Sequence, residues 1–144
     1  MKLDHIGIVV ADLKRGREAL SEALGLTCWT AEFADPINDV LVQFGRDASG
    51  LCYELVAPIS VNSPAYRAAR TGRNITNHIA YLVSDLAVEA ARLEALRFHP
   101  IGPPKQAIAY GMARIQFFTS PVSSIVELIE SEYHKHDYLE SLVR

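Results

Sequence analysis

The chain is poor in cysteine: Cys28 and Cys52 are its only two, in no CxxC spacing. No disulfide framework follows from so few, and free thiols in a reducing cytoplasm are expected. No apolar run approaches the roughly 20 residues that span a bilayer. No cleavable leader is legible either, since Lys2 leads directly into a strand-like pattern without a cleavage site. Neither sign of charge dominates: 14 Lys and Arg stand against 17 Asp and Glu, a net charge of -3. That balance gives no reason to expect nucleic acid or an anionic membrane as partner. With 144 residues, 49% hydrophobic and 22% charged, the chain fits one soluble globular domain with a core of its own.

What the sequence does have is a repeat. LDHIGIVVADL at residues 3–13 returns as TNHIAYLVSDL at 76–86. His5 pairs with His78, Asp12 with Asp85, Gln43 with Gln116, Phe44 with Phe117 and Glu54 with Glu127, all at an offset of 73. EALGL at 22–26 and EALRF at 94–98 agree at an offset of 72, so one residue is gained before the third strand. Two copies of one unit are therefore joined in tandem.

One unit reads β-α-β-β-β. LDHIGIVV is a β-branched run, hence a strand. Asp12 is placed to cap a helix carrying Leu13, Leu20 and Leu24, which Gly25 ends. TCWTAEFA, DVLVQFG and GLCYELVAP follow as strands. The second unit repeats the order through NHIAYLV, a helix from Asp85 to about Arg97, a weak strand at 98–101, ARIQFF and SIVELIE. The expected fold is α+β: two βαβββ modules, 1–58 and 76–131, forming a curved mixed sheet around a cup. A bridge at 59–75 with a short helix from Pro64 joins them. A C-terminal helix over 132–144 is expected, with Tyr138, Leu139 and Leu142 on one side and His134 and His136 solvated.

Strand alternation puts His5 on one face with Gly7 and Val9, and Glu54 with Cys52 and Val56. His78 lies with Ala80 and Leu82, and Glu127 with Ile125 and Ile129. A carboxylate in an apolar strand needs a cation or a proton if it is buried. If the two units share a cup, two imidazoles and two carboxylates can meet at one point. That set suits Zn²⁺, Ni²⁺, Co²⁺, Mn²⁺ or Fe²⁺, with positions left open. Taken singly, either histidine has a bland reading as a structural residue, and either glutamate as a solvent-facing one.

LDHIGIVVADL, YELVAP followed by NSP, NHIAYLVSDL and IVELIE resemble, over essentially the whole chain, the vicinal oxygen chelate superfamily. That superfamily includes glyoxalase I, methylmalonyl-CoA epimerase, extradiol dioxygenases and the bleomycin and fosfomycin resistance proteins. The resemblance implies metal ligands at His5, Glu54, His78 and Glu127, with Zn, Ni, Co or Mn as the ion. It also implies an enzyme, a lyase or isomerase that chelates neighbouring oxygens of a carbonyl or thioester and stabilises an enolate. Glu127, with Glu54, is then the catalytic carboxylate. Oxo acids, glutathione adducts and acyl-CoA esters are the implied substrates, and a homodimer the implied assembly. The chain departs from the epimerase branch at Leu41, where that branch carries a second glutamate base.

Parity with Leu41 places Gln43, Arg114 and Gln116 in the cup as substrate contacts. Arg114 then either pairs with a substrate carboxylate or phosphate or is a solvent-facing arginine. Arg67, Arg70 and Arg73 in the bridge form a basic cluster, either a solvated helix face or a seat for a CoA or glutathione tail. Two other readings stand beside the isomerase or lyase: a metal-free binding protein of the bleomycin-resistance type, and an iron dioxygenase.

Overall fold

The structure, a computed structural model, describes residues 1–73 and 76–139. The first module runs β1 (Lys2–Val9), α1 (Leu13–Leu24), β2 (Cys28–Thr30), β3 (Phe33–Asp35), β4 (Val40–Arg46) and β5 (Cys52–Pro58). After α2 (Tyr66–Thr71), the second runs β6 (Thr76–Val83), α3 (Leu86–Ala95), β7 (His99–Pro100), β8 (Lys105–Ala107), β9 (Ala113–Thr119) and β10 (Ile125–Glu130). A last strand, β11 (Tyr138–Leu139), follows.

Among the described residues all eleven strands belong to one curved mixed sheet, ordered β11-β2-β4-β5-β1-β6-β10-β9-β7, with β3 on β4 and β8 on β9. The repeat is visible in the ladder. β1 and β6 run antiparallel at the centre, and Ile6 faces Ile79, its own counterpart. Each of these strands pairs in parallel with the last strand of its own module, β1 with β5 and β6 with β10. The two modules therefore meet within one chain. Among the described residues no helix is long and apolar enough to cross a membrane.

The helices form where their caps direct. The Asp12 carboxylate accepts from Arg15 N at 2.8 Å and Asp85 from Val88 N at 2.9 Å, the same device at the same repeat position. α1 packs Leu13 and Leu20 against Leu55, Ala57 and Leu41 on the outer face of the sheet. α3 packs Leu86, Ala90 and Leu93 against Phe118 and Leu128. The inner face carries the other core, with Val9, Val42, Phe44, Val56, Ile115 and Ile129. The central strands are thus sandwiched between helices outside and an apolar cup inside.

Two expectations need correction. The third segment of the first unit is split, with TCWTAEFA forming β2 and β3 around a break at 31–32. The tail is not helical over 132–139: Tyr138 faces Thr30 and Leu139 faces Trp29, so the chain adds a strand to the open edge of β2. An unsatisfied sheet edge outweighs the weak helical spacing of a short polar segment. Residues 140–144, with Leu142, and positions 74–75 of the bridge lie outside the described residues.

Candidate metal centre

Each histidine stands immediately after a β-bulge. Leu3 faces Tyr81 and His5 faces Ala80, which leaves Asp4 as an extra residue in β1. Gly7 faces His78 and Ile8 faces Thr76, which leaves Asn77 as the extra residue in β6. A bulge re-aims side chains and lets two consecutive residues act on one side. Asp4 Oδ2 accordingly lies 2.9 Å from His5 Nδ1, and Asn77 Oδ1 lies 3.1 Å from His78 Nδ1. An oxygen at each Nδ1 places the proton there and turns each Nε2 lone pair inward.

The inward atoms converge. His5 Nε2 and His78 Nε2 are 3.0 Å apart. Glu54 Oε2 lies 3.3 and 3.2 Å from them, and Glu127 Oε2 lies 3.4 and 3.2 Å from them. All four residues are buried. Glu127 Oε2 has two nitrogens within ion-pair range yet accepts a well-formed hydrogen bond from neither. Four buried donor atoms aimed at one point, one of them orphaned, are costly without a cation among them. Donors about 2.0–2.2 Å from a divalent ion stand roughly 3.0 Å apart at right angles and about 3.5 Å apart in a tetrahedron. The five nitrogen-containing separations fall in that interval, and the nitrogen and oxygen set fits the ion.

Charge in the cluster is mutually stabilised. Burial disfavours an imidazolium at His5, but the Glu54 charge and the close carboxylates of Asp4 and Glu127 outweigh it and raise its pKa well above the ordinary value. At His78, burial is likewise outweighed by the two glutamates, and the pKa is raised. Burial pushes Glu54 up while His5 and His78 pull it down, leaving it at about 2.

Space opens directly over the cluster. A cavity of about 530 Å³ has Glu54, His78 and Glu127 on its floor and Val9, Val42, Val56, Ile115 and Phe117 among its walls. Its lining also carries Asp35, but that carboxylate already accepts from Ile37 N, Asn38 N, Asn38 Nδ2 and Ile108 N. A second cleft of about 700 Å³ shares His78 and Asn77 with it and carries Arg67, Arg73, Ser123 and Ser124. Arg70 turns instead to the Tyr66 hydroxyl, 3.3 Å away.

The expected substrate contacts are placed differently. On β4 the cup receives Val40 and Val42, while Leu41 packs towards α1. The expected face is therefore inverted. Gln43 shares the Leu41 side and donates to the Thr30 carbonyl at 2.8 Å. Arg114 points outward, where it grips Glu130 with Nε at 2.7 Å and Nη2 at 2.6 Å. Gln116 donates to the Gly102 carbonyl at 3.0 Å and is among the residues lining the cavity. The two glutamines make one repeated brace, each tying its strand to the second strand region of its own module. Cys52 is buried, with a thiol pushed up to about 11 chiefly by burial.

Two residues that hold Asp4 behind His5 have no mark in the repeat. Tyr110 Oη and His136 Nε2 both reach Asp4 Oδ2, at 2.5 and 3.2 Å, and Tyr110 Oη is 2.9 Å from His5 Nδ1. His136, expected on a solvated helix, is 9% exposed and stacked on Phe44 with centroids 4.1 Å apart. Asp4 is held ionised: burial opposes the charge, but His136, His5 and Tyr110 lower its pKa far below the carboxylate range.

The family model described as the Glyoxalase/Bleomycin resistance protein/Dioxygenase superfamily matches residues 4–131. No curated protein matches the chain by sequence. Among solved structures, methylmalonyl-CoA epimerase from Mycobacterium tuberculosis superposes with a TM-score of 0.73 at 24% identity, covering 89% of this chain and 86% of that one. A hypothetical protein from Bacillus halodurans gives 0.77 at 23% identity, covering 94% and 98%. A single-residue variant of Streptomyces coelicolor methylmalonyl-CoA epimerase, in complex with 2-nitronate-propionyl-CoA, gives 0.73 at 20%, covering 92% and 99%. At these identities the likeness establishes the fold.

Proposed function

Because the chain belongs to the glyoxalase/bleomycin resistance protein/dioxygenase superfamily, we propose that it is a divalent-metal-dependent isomerase or lyase that moves a proton next to a carbonyl or thioester. The observation that carries this reading is the four-donor cluster with its orphaned Glu127 oxygen at the floor of an apolar cup. His5, His78, Glu54 and Glu127 would hold the ion. When bound, a divalent cation supplies Lewis acidity that offsets negative charge building on a carbonyl oxygen as the adjacent C–H bond breaks.

The chain's own groups divide the remaining work. The apolar walls exclude water and strengthen every charge interaction inside. Glu54 Oε2, 3.3 and 3.2 Å from the two imidazole nitrogens, would stay a ligand. Glu127, whose Oε2 accepts no hydrogen bond, is the ligand least restrained by the protein and so the carboxylate that would take a proton from substrate. Asp35 is fully engaged, and the β4 residues facing the cup, Val40 and Val42, are aliphatic. Among the carboxylates lining the cup, acid–base chemistry therefore falls on Glu127, with Glu54 as the further one on the floor. One base that removes and returns the proton is the economical mechanism.

The substrate class that fits is an acyl thioester with an anionic carrier. Arg67 and Arg73 line a cleft that opens beside His78, where phosphates would find cations. Structural neighbours are held in complex with methylmalonyl-CoA and with 2-nitronate-propionyl-CoA. The test is α-proton exchange in D₂O, followed by NMR, for Zn²⁺-, Co²⁺- or Ni²⁺-loaded protein with methylmalonyl-CoA and, separately, with the methylglyoxal–glutathione hemithioacetal. Exchange with the thioester that Glu127→Gln abolishes is the expected result. Tight binding of either compound with no exchange would make the chain a binding protein instead.

A further inference from the structure

The two metal-facing histidines are duplicated, but what stands behind them is not. His78 Nδ1 meets one neutral oxygen, that of Asn77. His5 Nδ1 meets the Asp4 carboxylate, and three donors converge on the same Asp4 oxygen: His5 Nδ1, Tyr110 Oη and His136 Nε2. Tyr110 stands where the first copy has Ile37, which is exposed. His136 arrives on the tail beyond β10 and is fixed from both sides. It stacks on Phe44, and two residues later Tyr138 pairs with β2 and donates to Cys52 Sγ at 3.3 Å. Arg46 lies over the Tyr138 ring, 4.7 Å from its centroid.

From this asymmetry we infer that Asp4, Tyr110 and His136 form a positioning hub that locks His5 in its ligating orientation, and that the C-terminal strand is part of the metal centre. The inference rests on the reading of His5 as a metal ligand. A neutral imidazole has two tautomers, and only the one with its proton on Nδ1 offers Nε2 to an ion. Asp4 is an acceptor only, so it demands the proton at Nδ1. Tyr110 and His136 are donors to Asp4, so they fix the carboxylate's position and leave it no other partner to turn to. An amide at position 4 carries no charge and has a donor end, so it holds the Nδ1 proton less firmly. None of the three touches the cluster's centre; they act through His5.

The hub makes the two halves unequal in chemistry rather than in packing. His5 is seated by charge and by the tail, while His78 is seated by a single amide and by the empty space at Gly7. Removing any hub member should loosen His5 and leave His78 unchanged.

The experiment measures Zn²⁺ affinity by chelator competition and the imidazole tautomers of the zinc-loaded protein by long-range ¹H–¹⁵N correlation. Wild type is compared with Asp4→Asn, His136→Phe and His136→Gln. The expected result is a loss of about 10–100-fold in affinity for Asp4→Asn, the range for a partner behind a ligating histidine. His5 resonances should shift away from the Nδ1–H pattern while those of His78 hold. His136→Phe, which keeps the stack on Phe44, should lose less in the same direction, and His136→Gln, which restores a donor, should recover it. If Asp4→Asn does not fold, the two His136 variants carry the comparison. Wild-type affinity and an unchanged His5 tautomer in variants that merely melt earlier would overturn the hub while leaving the metal site standing. A wild type that takes no Zn²⁺ would overturn the metal site itself, and the hub with it.

Discussion

His5 Nε2 and His78 Nε2 lie 3.0 Å apart, 73 residues apart in sequence, each presented by a strand that bulges at the residue before it. The pair straddles the axis that relates the modules, so neither module owns the site.

Gly7 is the residue that makes room for His78. A β-carbon at position 7 would overlap the His78 imidazole. Gly7→Ala is therefore expected to displace the ring and cost about 1–3 kcal/mol of stability, the range for overpacking. Thermal unfolding and Zn²⁺ affinity should both fall. Unchanged Zn²⁺ affinity would mean that His78 has a second acceptable position.

The metal-free cluster sets a pH optimum. His5 and His78 have pKa values raised above 6.5, so their contribution is complete below that value and is lost as pH rises through the raised ones. Glu54 is lowered from 4.5 to about 2, so its contribution is complete above 4.5 and is lost as pH falls towards 2. Stability of the metal-free protein should peak between those unfolded values, from 4.5 to 6.5. Metal needs the imidazoles unprotonated, so its affinity should rise with pH and its binding should release protons. Melting curves across pH and calorimetry in two buffers of unlike ionisation enthalpy check both. Proton uptake on binding would contradict the account.

Arg114 reports on the face assignment. It grips Glu130 in the open, on the side away from the cup. Arg114→Ala should leave Zn²⁺ affinity and substrate kinetics as they are and move stability little, as exposed pairs do. A rise in KM for a thioester substrate would return Arg114 to the site.

Asp12 and Asp85 test the duplication itself. Each caps its helix through the same bond. Each change to alanine should cost about 1 kcal/mol, and the double change should cost the sum, because the caps share no partner. Chemical denaturation of the four proteins measures it; strong non-additivity would show the modules to be coupled beyond their common ladder.

Much of this was legible in the chain because the repeat carries it. The offset of 73 paired the four donors, the two caps and the two central strands. Strand alternation put Glu54 with Val56 and Glu127 with Ile129 on the cup side. What failed is as physical. VLVQF is buried on both faces, so its hydrophobicity has no period from which a face can be read. The tail's helix gave way to an open sheet edge that only the folded molecule reveals. Asp4 and Asn77 were in plain sight before their histidines, but alternation assigns neighbours to opposite faces, and a bulge is what overrides it. Tyr110 and His136 belong to no repeat, so no internal comparison could raise them.

The most direct test is elemental analysis of the untagged protein beside a His5→Ala/Glu127→Ala variant. One divalent ion per chain in the wild type, absent from the variant, is the expected result. A wild type that stays metal-free after incubation with Zn²⁺, Ni²⁺, Co²⁺ and Mn²⁺ would contradict it, and the cup would then be a pocket for binding alone.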